Sequence, residues 1–385
     1  MTKRHYLLIA LAALCLTIAV GTVQISQKVD EFIVEQGAAG AYLAARQATR
    51  MNDAEAAGDY WSLALAARPH DAALLQSAMQ AKIMAGSFDE GLGFARRLIV
   101  VSPQNQQAHI LLAVAAFKQQ QFDVALDHVD EMRVGPLSSV LAPNMKIWIA
   151  LARDDEKMGA QAVKKLTRAS PFAGVPLVQA ARVLEIKGNH GAAANHYADA
   201  VRSGAARYLY FVLAYGAFLE RQGETDKAAK LYEFYHSTHL YHAHVSAAQE
   251  RLATGEKPSL QTSPAAAMAE AFTAIGEAMR GEERIDLALG YLRLAQHLDD
   301  DNELIAFAVA ELLGARKRFV AAAEQFADID GSALLYDDAQ IQRAQMLFEA
   351  GAAEAAIAVL NKQLRQKPND RDLGGQDPPG PPPQL

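Results

Sequence analysis

The sequence predicts an all-α fold, a right-handed α-solenoid of about nine helix-turn-helix units, and three observations predict it. Hydrophobic residues fill 51% of the 385 positions while aromatics reach only 7%, a composition suited to closely approaching, alanine-rich helices rather than one large core. Pro69, Pro103, Pro136 and Pro171 follow one another at spacings of 34, 33 and 35 residues, and a fixed period in this range is the mark of a repeat architecture. Between these prolines the chain runs through an apolar helical stretch, a glycine-centred turn and a second, alanine-rich helix. Gly86-Ser87-Phe88, Gly188-Asn189-His190 and Gly223-Glu224-Thr225 are such turns, where a tight reversal favours a residue that accepts positive φ.

The elements follow in order. Lys3 and Arg4 precede an apolar run from Tyr6 to Val23, the pattern of an export signal. The 18 residues of this run would cover about 27 Å as a helix, so residues 1–23 are either a cleaved signal peptide or a membrane anchor formed by residues 6–23. Leu14 before Cys15 argues against lipidation, and Cys15 is the chain's one cysteine, which excludes a disulfide scaffold. The expected location is periplasmic, with contact to the membrane only through this N-terminal segment. A sub-array of six hairpins is expected over residues 38–242, with units at 38–71, 72–105, 106–137, 138–173, 174–208 and 209–242. Pro143 is expected to interrupt the first helix of the fourth unit. Segment 243–268 breaks the spacing at Thr254-Gly255-Glu256-Lys257-Pro258 and Ser263-Pro264, and is read as a hinge or insert. Three more units follow over 269–370, at 269–302, 303–336 and 337–370. Residues 371–385, rich in proline and glycine, are expected to be a disordered tail. No further first helix opens after Pro368, as would happen in a truncated or frame-shifted array.

Within the units the residues resemble the tetratricopeptide repeat (TPR) family. Phe272, Ile275, Gly276 and Met279 fill the first-helix slots of one unit, and Val212, Tyr215, Gly216 and Leu219 those of another. The second-helix slots hold Ala57 with Trp61, Ala193 with Tyr197, Ala228 with Tyr232, and Ala322 with Phe326. The pairing has a physical basis: a small residue lets a neighbouring helix approach, and a large one fills the space beside it. The resemblance implies a concave surface lined by first helices and suited to an extended peptide or a helix. Projected onto this sequence, the surface would carry Tyr42, Arg46 and Arg50 from the first unit and Gln76, Gln80 and Ile83 from the second. The third would add Gln107, Ile110, Val114, Phe117 and Lys118. Tyr210 is the aromatic outside the packing slots that best suits the same surface. Arg46 and Arg50 stand one turn apart, a spacing that suits a carboxylate or an acidic peptide. Tyr42 and Arg46 depart from the lysine and asparagines of TPR domains that clamp chaperone tails, so that partner is not expected.

Chemistry beyond binding leaves little trace in the sequence. There is no glycine-rich phosphate loop, no His-Glu-x-x-His, no Cys-x-x-Cys and no Gly-x-Ser-x-Gly, and Gly91-Leu92-Gly93 falls inside a repeat helix. The chain is therefore read as non-catalytic and without a cofactor. A formal charge of −7 gives no electrostatic reason to bind nucleic acid. His236, His239 and His242 recur at three-residue steps, with His244 beside them. That spacing brings at most two imidazoles toward one metal, and no adjacent Cys or Asp completes a set, so a capped or solvated helix end is the expected role. Asp299, Asp300 and Asp301 lack the alternation of a calcium loop and read as a solvated turn. The function expected is a protein-protein interaction scaffold of the bacterial cell envelope, with a protein or peptide partner and an unspecified oligomeric state. The alternatives are an accessory subunit of exopolysaccharide synthesis or secretion, and a metal-binding protein using the histidine cluster.

Overall fold

The computed structural model describes residues 37–132, 135, 138–166, 174–238, 242–281 and 284–366. The expected export segment 1–23, the expected tail 371–385, Pro136, Pro171 and His239 lie outside them. Among the described residues all regular structure is helical, and no helix is long and apolar enough to cross a membrane. The described residues divide into two compact units, with the boundary between Pro103 and Gln104.

The first unit holds α1 (residues 37–50), α2 (Ala54–Ala64), α3 (Ala72–Ala85) and α4 (Phe88–Val101). The second opens with α5 (Gln106–Lys118), α6 (Phe122–Asp130), α7 (Ser138–Ala152), α8 (Glu156–Leu166), α9 (Val175–Ile186) and α10 (His190–Arg202). A short 3-10 turn at Ala205–Arg207 leads to α11 (Leu209–Arg221), α12 (Thr225–Thr238) and α13 (Ala243–Thr254). The remainder is α14 (Pro264–Gly281), α15 (Ile285–Leu298), α16 (Glu303–Ala315), α17 (Phe319–Ala327), α18 (Tyr336–Glu349) and α19 (Ala353–Gln366). Each of the nine expected units contains one helix pair among the described residues.

Local chemistry explains the period. Asp71 and Asn105, 34 residues apart, both cap a first helix: Asp71 accepts from the amides of Ala73 and Leu74, and Asn105 from that of Ala108. Asn302 does the same for α16. The turn is equally regular in eight of the nine hairpins, residues 282–283 between α14 and α15 lying outside the described residues. Positive φ occurs at Asn52, Gly86, Gln120, Asp154, Gly188 and Gly223, and again at Lys317 and Gly351. The backbone thus demands a left-handed residue at this point even where the sequence supplies no glycine.

The small-against-large slots are occupied as expected. Ala57, Ala193, Ala228 and Ala322 are buried beside Trp61, Tyr197, Tyr232 and Phe326. Gly216 shows why one slot must be bare: a Cβ there would come within 2.2 Å of the Tyr232 hydroxyl. That hydroxyl is itself fixed, donating to Glu220 at 2.5 Å.

One expectation meets a different outcome. Pro143 lies inside α7 and does not interrupt it. A proline inside a helix, which removes one backbone hydrogen bond and crowds the preceding turn, costs about 3 kcal/mol, but Leu141, Met145, Ile147 and Trp148 around it are fully buried and offset that cost. Segment 243–268, read as a hinge or insert, contains α13, which packs against α11 and α12 within the second unit. Only residues 255–263 are non-helical there, consistent with the proline and glycine signals that marked the break.

Candidate interaction surface

In the first unit three of the residues predicted for the surface lie on α1. Ala41, Ala45 and Ala48 turn inward and are buried, which places Tyr42, Arg46 and Arg50 outward and exposed. Tyr42 leans edge-on against Trp61 of α2, with ring centroids 5.3 Å apart, and the Arg46 guanidinium lies 5.9 Å from the Tyr42 ring. Among the described residues neither Arg46 nor Arg50 pairs with a carboxylate. Leu43 on the same helix and Met51 just after it add exposed apolar surface. On α3, Gln80 is exposed and Gln76 half-buried. Ile83 is a correction: it packs within its own hairpin, where a Cβ on Gly91 would meet its Cδ1 at 2.6 Å, so it is not a surface residue.

In the second unit the corresponding wall is covered by the chain itself. Helix α14 packs against α7, α9 and α11, and α15 packs against α5. Ile110, Val114 and Phe117, expected to face a partner, are buried, while Gln107 at the start of α5 stays exposed. Lys118 reaches across to Asp300 after α15, with Nζ 2.9 Å from the carboxylate, so that expected solvated turn carries an ion pair.

Tyr210 is likewise engaged. Trp148 Nε1 donates to Gln179 Oε1 at 2.8 Å, and the Gln179 amide nitrogen donates to the Tyr210 hydroxyl. Arg182 stands 5.9 Å from the Tyr210 ring and forms an ion pair with Glu270 of α14. Burial pushes the Tyr210 hydroxyl above its ordinary range, with the Arg182 charge acting in the opposite direction. Nearby on α14, Glu277 keeps some surface, but its carboxyl is desolvated by the surrounding protein and pushed up to about 7. Sequence reasoning missed this closure because α14 is written in the same alanine and aromatic alphabet as every other first helix.

The histidine cluster sits where α12, α13 and α16 converge. His242 and His244 have ring centroids 5.7 Å apart, and His244 Nε2 lies 3.0 Å from Glu303 Oε1. The Nδ1 atoms of both rings are buried with no hydrogen-bond partner. Burial, reinforced by His244 and His236, pushes His242 down to about 4, and burial lowers His244 despite the Glu303 carboxylate. Among the described residues no group of three or more His, Cys, Asp or Glu side chains is placed to hold a metal ion.

No family model matches the chain, and no curated protein matches it. Among solved structures, a tetratricopeptide repeat protein from Parabacteroides merdae is similar at 13% identity, over 72% of this chain and 99% of that one, with a TM-score of 0.44. Pseudomonas aeruginosa pilF is similar at 15% identity, over 63% of this chain and 97% of that one, with a TM-score of 0.26. The helix pairs at the expected positions, the buried small-and-large slots and the left-handed turn repeated every 34 residues give this chain the fold of a tetratricopeptide repeat protein.

Proposed function

We propose that the chain is a non-catalytic protein-interaction scaffold of the bacterial cell envelope, and that its partner polypeptide engages the α1 face of the first unit. The carrying observation is the exposure of Tyr42, Arg46 and Arg50 on one helix face. A rigid aromatic held by Trp61 offers apolar contact, and two cations without carboxylate partners among the described residues offer charge to an acidic segment. The envelope location draws its support from Lys3, Arg4 and the apolar run Tyr6 to Val23. Mature-protein mass from fractionated cells separates cleavage from anchoring, and recovery of the intact chain from the cytoplasm overturns export.

Affinity capture from envelope extracts tests the surface. Wild type is compared with Arg46→Glu, which should leave stability within about 0.5 kcal/mol, and with Tyr42→Ala, whose lost contact with Trp61 should cost about 1 kcal/mol and leave the chain folded. Loss of a specific partner in both variants is the expected result. Equal capture by all three proteins removes the α1 face from consideration.

A further inference from the structure

Buried and half-buried cations in this chain come with carboxylates: Arg182 pairs with Glu270 through Nη1, and two other arginines share one guanidinium edge. Arg221 presents Nε and Nη2 to the two oxygens of Glu185 at 2.7 and 2.9 Å. Arg251 presents the same edge to Glu220 at 3.0 and 2.8 Å. The Lys82 amine sits between Asp59 and Glu90, at 2.7 and 2.8 Å. Arg293 on α15, half-buried, departs from this pattern. Its Nη1 donates to Gln296 Oε1 at 2.8 Å and to Gln325 Oε1 on α17 at 3.0 Å. Its Nε is buried without a partner, and among the described residues no carboxylate pairs with the side chain. Desolvation alone pushes its pKa down to about 10. Arg343 on α18, a helix that packs against α17, repeats the signature: Nη1 donates to Gln340 Oε1 at 3.3 Å and Nε is buried without a partner.

An uncompensated guanidinium in such surroundings is costly, and an apolar side chain of similar volume would remove the cost. Two neutral amides hold the Arg293 fork in place without neutralising it, which pre-orients its other edge for an anion. We propose that Arg293, positioned by Gln296 and Gln325, is a receptor for an oxyanion, carboxylate or phosphate, taken on its Nε and Nη2 edge. The site belongs to the second unit and shares no residue with the α1 face, so either assignment fails without the other.

Thermal unfolding of the full chain in sodium chloride, citrate and phosphate at matched ionic strength tests the assignment. Wild type is expected to gain about 2 °C over chloride at a tenfold excess of the recognised anion over its Kd. A gain in citrate alone assigns a carboxylate, in phosphate alone a phosphate, and in both a general oxyanion site. Arg293→Met should abolish the gain while unfolding no earlier than wild type in chloride. Arg293→Lys, which keeps the charge and loses the fork, should retain less than half of the gain. A gain that persists in Arg293→Met is general salt stabilisation and overturns the proposal. Absence of any gain in wild type also overturns it, and an Arg293→Met protein that melts early in chloride would then assign the residue a purely structural role.

Discussion

The same helical pattern builds α1 in the first unit and α5 in the second, with opposite results. On α1 the residues expected to face a partner, Tyr42, Arg46 and Arg50, stand exposed. On α5 their counterparts Ile110 and Val114 are buried, as is Phe117 beside them, and Lys118 is tied to Asp300. The pattern fixes which side of a helix turns away from its own hairpin partner. It does not fix whether that side meets solvent or a later part of the chain.

The contrast is most easily broken at Phe117. If its burial is structural, Phe117→Ala should lower unfolding stability by about 3–5 kcal/mol in a denaturant titration, while a solvent-facing residue would move it by a few tenths. The closing contact comes next. Glu270→Ala leaves the buried Arg182 without its counterion and should cost about 3 kcal/mol, much of it recovered in the Arg182→Met, Glu270→Met double variant.

A smaller effect concerns pH. The unfolded His242 imidazole takes up its proton near 6.5 and the folded one near 4, so the folded state binds fewer protons between these values. Stability should therefore fall as pH drops from about 6.5 toward 4. Partial exposure limits the loss to about 1–2 kcal/mol, and His242→Gln should show a shallower decline in urea midpoint over this window. The smallest effect sharpens the comparison of hairpins. Lys317 and Asp154 occupy the left-handed turn position held by glycine elsewhere, and replacing either with Gly should raise stability by about 0.5–1 kcal/mol, read from the same midpoint.

Interactions within one repeat were legible in the sequence. The small-and-large slots, the glycine turns and the nine helix pairs all arise between residues less than one period apart, and each leaves a local mark such as Gly216 beside Tyr232. Three features were not legible. The turns at Gln120, Asp154 and Lys317 carry no glycine, so the left-handed position there leaves no mark in the sequence. Pro143 was read by its usual effect on an isolated helix, whereas buried neighbours hold α7 together. The covering of α5, α7, α9 and α11 depends on contacts between distant segments, for which alanine, leucine and phenylalanine give no direction. Of the candidate surface, the exposed α1 residues were found from their spacing, while Arg293 is distinguished only by the partners that surround it.

The pairing of α14 with α7, α9 and α11 also changes how the second unit can fold. A stack in which each hairpin touches only its neighbours can grow by simple addition and fray from its ends. Here Arg182 and Glu270 are 88 positions apart, and Lys118 and Asp300 182 apart. During synthesis the early hairpins leave the ribosome with one flank bare, and they complete their core only when the covering helix follows. Such late, long-range closure slows folding and makes the unit melt as one cooperative block rather than repeat by repeat.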